Sequence, residues 1–541
     1  MLRVLAVGLC AGLSSPSAVA AAVQQQPAPG LRLYQAVGSS RPQLVDTNGN
    51  VVHTWPNGGN ISSHLGPDGT LLRGQQTGGV IIAGATGRIQ RHAFDGTLLW
   101  DFLVDGPLHY AHHDIEPMPN GNVLVIAWDR YTVNDAIAAG RDPALLSGSD
   151  WFPDAILEIR PNGPTGGTIV WEWHITDHLI QDFDAGKANF GVVANAPGLL
   201  DINYPPILVS DGDWNHFNGL DYDPVNDWIV VSSRSQDEIY IIDHSTTTAE
   251  AAGHTGGQRG RGGDFLWRWG NPEVYRAGSA VHHVLRGQHD PRFIAPGRPG
   301  AGNVTVFNND YVPGQSAVHE LALPVGPSGN LVLDPVTGRY GPVTPVWTFT
   351  EAGFNSLFVS SAERLPNGNT LICSGTQNRL FEVTAAGTTV WNYVDPAPSL
   401  IFQCHYVERS LWRDTGELPI GGGTVAFDHL TGSPHAGQIF VLLGSISGTA
   451  PGTLVPGGVL LPLNLDFLTS AMATNWNSGI FVNTLGLLDG DGHASSNLAV
   501  PSGLIPAALV GTDLDFAHLI YHPTTLVAVR ASNPVRVQIV P

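Results

Sequence analysis

Four histidines stand at one phase of an internal repeat, and they are the groups best suited to chemistry in this 541-residue chain. Each precedes a turn-rich hairpin by a few residues: His112-His113-Asp114, Asn215-His216-Phe217-Asn218, Gln288-His289-Asp290 and Cys404-His405-Tyr406. A lone histidine in a β-rich chain is usually a satisfied structural residue. Four at one phase of a closed repeat converge on the axis, because equivalent positions lie at equal distances from it. Neutral imidazole is a nucleophile and a proton carrier near pH 7. Arg234, in Ser232-Ser233-Arg234-Ser235, ends the strand after the His216 hairpin. It can return a guanidinium to the same place, where it would suit a planar or tetrahedral oxyanion; a rim salt bridge is its competing role. His405, Phe217 and Tyr110, in or beside the histidine strings, are expected to bind substrate.

Composition narrows the chemistry. Only 13% of residues are charged, about half the usual soluble average of about 25%, while the apolar share is an ordinary 43%. That excludes a disordered, solvating chain. Acidic residues outnumber basic ones 46 to 25, a formal charge of −21, and a field of that sign repels nucleic acid and anionic membrane. The single lysine, Lys187, is followed by Ala188, so no Gly-Lys-Ser/Thr phosphate loop exists. Schiff-base chemistry loses nearly all its candidates for the same reason.

The elements that must position the histidines come in six copies. One unit is a strand and turn ending in aromatics: Trp55, Trp100 and Phe102, Trp171 and Trp173, Trp267 and Trp269, Trp347 and Phe349, Trp391 and Tyr393. After each comes a hairpin: Gly66–Gly69, Met118–Asn122, Asp223–Asp227, Pro299–Asn303, Leu365–Asn369, and a degenerate copy at Cys404–Trp412. Asn-Gly between short β-rich runs is a strong hairpin signal. Six copies of a four-stranded unit predict an all-β chain built as a six-bladed β-propeller over 31–414. The sixth copy lacks two strands that residues 31–55 supply, so the N-terminal strands are expected to close the ring and remove its edges. Residues 415–423, rich in glycine, read as a linker, and 424–541 as a small C-terminal β-sandwich. Its Asp489-Gly490-Asp491-Gly492 begins like a calcium loop but lacks the closing glutamate.

Residues 1–20 carry Arg3, an apolar run from Val4 to Leu13 and the small-residue site Ala18-Val19-Ala20. This is the layout of a signal peptide cleaved near Ala20, too short to span a bilayer, and it predicts export to the periplasm or beyond. Cys10 leaves with it. Cys373 and Cys404 remain, and sequence leaves open whether they pair or stay as two buried thiols.

Several strings resemble bacterial arylsulfate sulfotransferases: Asp213-Trp214-Asn215-His216-Phe217-Asn218, Ser232-Ser233-Arg234, Trp267-Arg268-Trp269-Gly270-Asn271-Pro272, Gly287-Gln288-His289-Asp290 and Leu365–Leu371. The resemblance covers roughly 40–410 and omits the C-terminal domain. It implies a six-bladed exported propeller that moves a sulfuryl group from a phenolic sulfate ester to a phenol acceptor, without a nucleotide donor and with no cofactor. His289 then matches the histidine that is transiently sulfated, and His216, Asn218 and Arg234 match groups around the sulfate. The last histidine is His112 by its distance from His216, or His113 by its phase with His289-Asp290. Two other classes fit the histidine cluster. One is a metal-dependent lyase or lactonase propeller; the other is a propeller that binds a phenolic or polyanionic ligand without turnover.

Overall fold

The structure is a computed structural model that describes residues 26–541 apart from 38–40, 57–59, 67–68, 80–81, 207–211 and 398–399. The expected signal peptide and part of the first hairpin lie outside the described residues. Short strands rich in Val, Ile, Trp and Tyr, punctuated by left-handed glycines at turn tips such as Gly121 and Gly368 (φ +87° and +86°), assemble into six four-stranded antiparallel sheets.

Blade 1 runs Asn60–Leu65, Leu71–Gln76, Gly87–His92 and Leu98–Leu103, and blade 2 runs His109–Pro117, Val123–Asp129, Asp154–Asn162 and Gly166–His174. Blade 3 is Phe217–Asp223, Trp228–Ser233, Glu238–Asp243 and Trp267–Trp269; blade 4 is His289–Phe293, Val304–Val312, Gln315–Leu321 and Trp347–Phe349. Blade 5 is Ser361–Arg364, Thr370–Ser374, Arg379–Val383 and Thr389–Val394. Blade 6 joins the two ends of the ring: Ile401–Val407 pairs with Leu31–Ala36, followed by Gln43–Val45 and Val51–Thr54. The first strand of each blade touches the first strand of the next, all the way round. These six strands form the channel wall.

The recurring tryptophans explain why the blades stay together. Trp55 of blade 6 donates its indole N–H to Ala93 O of blade 1 (3.0 Å), and Trp100 of blade 1 donates to Gly166 O of blade 2 (2.7 Å). The pattern continues from Trp173 to Gly263 O, Trp267 to Gly341 O, Trp347 to Ala385 O and Trp391 to Thr47 O. Each outer strand thus carries at least one large apolar ring whose only polar atom is satisfied on the following blade. Each clasp contributes about 1 kcal/mol beyond the burial of the ring.

The C-terminal region packs two sheets face to face. One holds Leu411–Arg413, Gly423–Leu430, His493–Val500 and Phe481–Val482; the other holds Glu417–Pro419, Val535–Val540, Asp513–Tyr521, Ile439–Ser445 and Leu485–Leu487. Phe427, Leu442, Phe516 and Val537 fill the space between. The expected linker at 415–423 is corrected here: Glu417–Pro419 is a strand parallel to Val535–Val540, with Leu418 buried in the sandwich core. The glycines that suggested a linker make the turn after it, with Gly422 at φ +91°. Leu411–Arg413 also belongs to the sandwich, while Trp412 stacks on Phe94 of blade 1 at 4.5 Å and joins the Leu31, Leu33 and Trp55 cluster. Cys373 and Cys404 are free, buried thiols. No helix among the described residues is long and apolar enough to cross a membrane.

Candidate active site

The channel-lining strands leave their regular ladder where the histidines sit. In blade 2 the pairing jumps from Ala111 to Ile115, in blade 3 from Phe217 to Leu220, and in blade 4 from His289 to Arg292. Such bulges re-aim side chains that the pleat would otherwise bury. The backbone turns left-handed at His113 (φ +50°), His216 (+55°) and Asp290 (+51°), a conformation L-residues adopt at a cost and which collects at functional sites. Gly84 permits the tightest approach: its carbonyl accepts the His113 N–H at 2.7 Å, and a Cβ there would lie 2.0 Å from the His113 ring.

Three of the predicted histidines meet. His113 and His216 stand edge to face with centroids 4.6 Å apart, and His289 is close enough for its charge to depress protonation of His113. His113 is the one of the neighbouring pair that faces the site. His112 lies behind it, Nδ1 to Nδ1 at 2.8 Å, stacked on Trp128 at 3.9 Å with Nε2 2.8 Å from Asp154 Oδ1.

Each imidazole has one nitrogen tied down. His216 Nδ1 donates to Asp213 Oδ2 at 2.5 Å, and Asp213 Oδ1 accepts the Trp128 indole N–H at 2.9 Å. Burial opposes charge on Asp213, but the His216 imidazole outweighs it and holds the carboxyl below its ordinary value. His289 Nδ1 faces two acceptors, Asn309 Oδ1 at 2.8 Å and Gly287 O at 3.0 Å. The Asn309 amide cannot turn round, because its Nδ2 already donates to Ser356 O and Val359 O (2.8 and 2.9 Å). Nδ1 therefore carries the proton, and Nε2 keeps its lone pair, accepting the Val359 N–H at 3.1 Å. Val359 and Ser360 have φ of +56° and +94°, a strained pair for a β-branched residue and its neighbour. Burial, helped by Arg234 and His216, pushes His289 down to about 3, and burial likewise pushes His112 down to about 3 and His113 well below its usual value. All three are neutral bases at physiological pH.

Arg234 opens the short turn Arg234–Gln236, and its N–H donates to His216 O at 3.2 Å. Its side chain is exposed, and no carboxylate pairs with it among the described residues, so it is not the rim salt bridge that sequence allowed. The guanidinium lies beside Gly287 and adds positive potential at His113 and His289. A guanidinium without a carboxylate partner among the described residues, close to the neutral imidazoles of His113 and His289, suits an anion.

The remaining predicted residues fall elsewhere. Asn218 ties blade 3 to blade 4, its Nδ2 donating to Gln288 O at 2.9 Å while Oδ1 stays buried and unpartnered. Phe217 is a core residue between Trp173 and Tyr240, not a substrate contact. Tyr110 packs behind Trp128 with its hydroxyl on Thr77 Oγ1 (2.7 Å). His405 lies against His64 (4.3 Å) further along the strands; the degenerate sixth hairpin offered no anchor, and phase misplaced it. Blade 6 contributes Phe402 instead, 6.1 Å from His113. Sequence reasoning missed Phe402, Asp213, Asn309 and Trp128. Asp213, three residues before His216, was visible as a possible orienting carboxylate, whereas Asn309 lies on the second strand of blade 4 and carries no local signal. The group of His and carboxylate residues with ligand atoms close enough to share an ion, among the described residues, is His178, His254 and Asp264, outside the channel.

A family model described as arylsulfotransferase (ASST) matches residues 18–406. A sequence comparison with curated proteins found no match. Similar solved structures include a Bacteroides caccae protein of unknown function (13% identity, 70% of this chain and 99% of that one, TM-score 0.39). They also include a periplasmic gluconolactonase from Pseudomonas aeruginosa (14%, 70% and 99%, 0.36) and a virginiamycin B lyase from Staphylococcus aureus (9%, 68% and 85%, 0.32).

Proposed function

Because the chain belongs to the arylsulfotransferase family, we propose that it moves a sulfuryl group from a phenolic sulfate ester to a phenol acceptor through a covalent intermediate on His289. One observation carries this reading: Asn309 and Gly287 hold the proton on Nδ1 of a buried neutral imidazole, leaving a lone pair on Nε2 near Arg234, which no carboxylate among the described residues pairs. A transferring sulfuryl group, like a phosphoryl group, needs positioning and charge stabilisation on its three equatorial oxygens more than it needs covalent assistance. Arg234 supplies the charge.

In the first half-reaction Nε2 of His289 gives up the Val359 N–H and attacks sulfur. The N–S bond forms, the S–O bond to the aryl group breaks, and His216, protonated on Nε2, gives its proton to the departing phenolate. Asp213 supports that imidazolium through Nδ1. In the second half an acceptor phenol passes its proton to His216, its oxygen attacks sulfur, and the N–S bond breaks. His113 completes the wall, and Phe402 next to it offers an apolar face to the aryl ring. Asn218 acts by holding Gln288, and hence His289, in place. Export follows from the Arg3–Ala20 pattern.

Rapid quench of the enzyme with a sulfur-labelled aryl sulfate and no acceptor should leave an acid-labile sulfuryl group on His289, discharged by added phenol. A label on His216 or His113, or an active His289→Asn enzyme, would overturn the assignment.

A further inference from the structure

A second histidine cluster lies outside the channel, where an insertion in blade 3 meets the end of blade 2. His178 closes the turn Ile175–His178 after the outer strand of blade 2, and its ring stacks on Trp173 at 5.2 Å. His254 and Asp264 belong to the insertion between Glu238–Asp243 and Trp267–Trp269. His178 Nδ1 and His254 Nδ1 both approach Asp264 Oδ1, at 2.9 and 2.8 Å.

Proton accounting makes this arrangement unusual. His178 Nε2 lies 2.9 Å from the Ala251 carbonyl oxygen, which can only accept, so Nε2 holds the hydrogen. A neutral His178 then aims its Nδ1 lone pair at a carboxylate oxygen, another acceptor. The second imidazole converges on the same oxygen. The conflict is relieved by a proton shared between the His178 imidazole and the Asp264 carboxylate, or by a cation among the three atoms.

We propose that His178, His254 and Asp264 form a binding site for one divalent transition-metal ion of the zinc class, which fastens the blade 3 insertion to blade 2. Two imidazoles and a carboxylate suit such an ion. Ligand atoms at about 2.0–2.2 Å from a tetrahedral zinc stand roughly 3.3 Å apart; the two imidazole–carboxylate pairs here, at 2.9 and 2.8 Å, need to open by only a few tenths of an ångström, and all three ligand atoms lie within 4.8 Å of one another. The Ala251 carbonyl on Nε2 is the outer hydrogen bond that orients a ligating histidine. Gly263 makes room for it, since a Cβ there would lie 2.6 Å from His178 Nε2. The side of His254 away from the core borders a cleft of about 500 Å³ that also holds Thr176 and Lys187, leaving space for water as the fourth ligand. This inference does not depend on the sulfuryl-transfer reading.

The test uses the full chain, stripped with a chelator and titrated with zinc, and separately with cobalt(II) as a spectroscopic probe. His254→Ala is the informative variant, because that side chain is 59% exposed and its loss leaves the core intact. Wild type should retain one zinc per chain, and His254→Ala should bind at least about 10²-fold more weakly, beyond the effect of losing an outer-sphere partner. Cobalt should give intense tetrahedral absorption in wild type only. Zinc should raise the melting temperature of wild type and not of the variant. Asp264→Asn, if it folds, should lose the ion as well. Equal zinc affinity in wild type and His254→Ala, or cobalt spectra that coincide, would overturn the proposal and leave an imidazolium–carboxylate pair.

Discussion

Two layers of the channel are made from the same strands and almost the same residue types. At the mouth, among the described residues, His113, His216 and His289 each keep a nitrogen free of ionic partners, and Arg234 has no carboxylate to neutralise it. Further along, the positive groups are answered. Arg292 is bidentate to Asp290 at 2.8 and 2.9 Å, His64 lies between Asp114 (3.0 Å) and Glu116 (3.4 Å), and Gln403 Nε2 reaches His64 and Asp114. Histidine in a channel therefore does not by itself mark a reactive place. What separates the layers is whether positive charge has been compensated inside the protein or left for a ligand to compensate.

That contrast can be broken experimentally. The largest effect is expected at His289: replacement by alanine should lower turnover by at least about 10³-fold, on the scale of a lost nucleophile, without a cooperative loss of fold. Next are the two arginines, which should part company. Arg234→Ala should reduce kcat about 10²-fold, as for a lost oxyanion donor, with an unchanged melting temperature. Arg292→Met should instead destabilise the protein by about 3–5 kcal/mol by stranding Asp290 among buried carboxylates. Denaturant melts beside steady-state assays distinguish them, and a stability loss in Arg234→Ala would dissolve the contrast.

Smaller effects sharpen it. Asn309→Ala frees the His289 tautomer and should cost about 10–10²-fold in kcat, with KM little changed; an equal loss in melting temperature and none in kcat would reduce Asn309 to a structural tie.

Two buried groups, one behind the mouth and one further along, should also pull stability in opposite directions with pH. His112 falls from 6.5 to about 3 through burial, so between those values the unfolded chain binds the extra proton and stability rises with pH. Burial pushes Asp221, near Arg292, up from 3.8 to about 7, so across that window the folded chain holds the extra proton and stability falls as pH rises. Each group contributes a slope of about 1.4 kcal/mol per pH unit. Asp221→Asn should make the pH 4–6.5 slope more positive, and His112→Gln more negative. Parallel shifts of the two curves would show that burial does not move these two groups in opposite senses.

Much of the architecture was legible because it repeats. Six tryptophan-ended units and their hairpins are local patterns, and closure of the ring follows from counting strands at the two ends. The gathering of His289, His216 and Arg234 was legible because each lies in a distinctive string at a strand end. Local pattern failed where the chain departs from its repeat. The sixth hairpin is degenerate, so His405 was aligned to the mouth while Phe402 occupies that level. The glycine-rich stretch at 415–423 read as a linker because burial of Leu418 depends on a partner strand more than a hundred residues away. Choosing between His112 and His113 required the bulge in blade 2, which turns one ring to the channel and the other onto Trp128. Residue types and spacing, then, determined that imidazoles and one arginine would gather at a channel mouth. Which imidazole holds a lone pair, and which cation stays uncompensated, depends on hydrogen bonds between blades, such as Val359 on His289, and only the tertiary structure brings those atoms together.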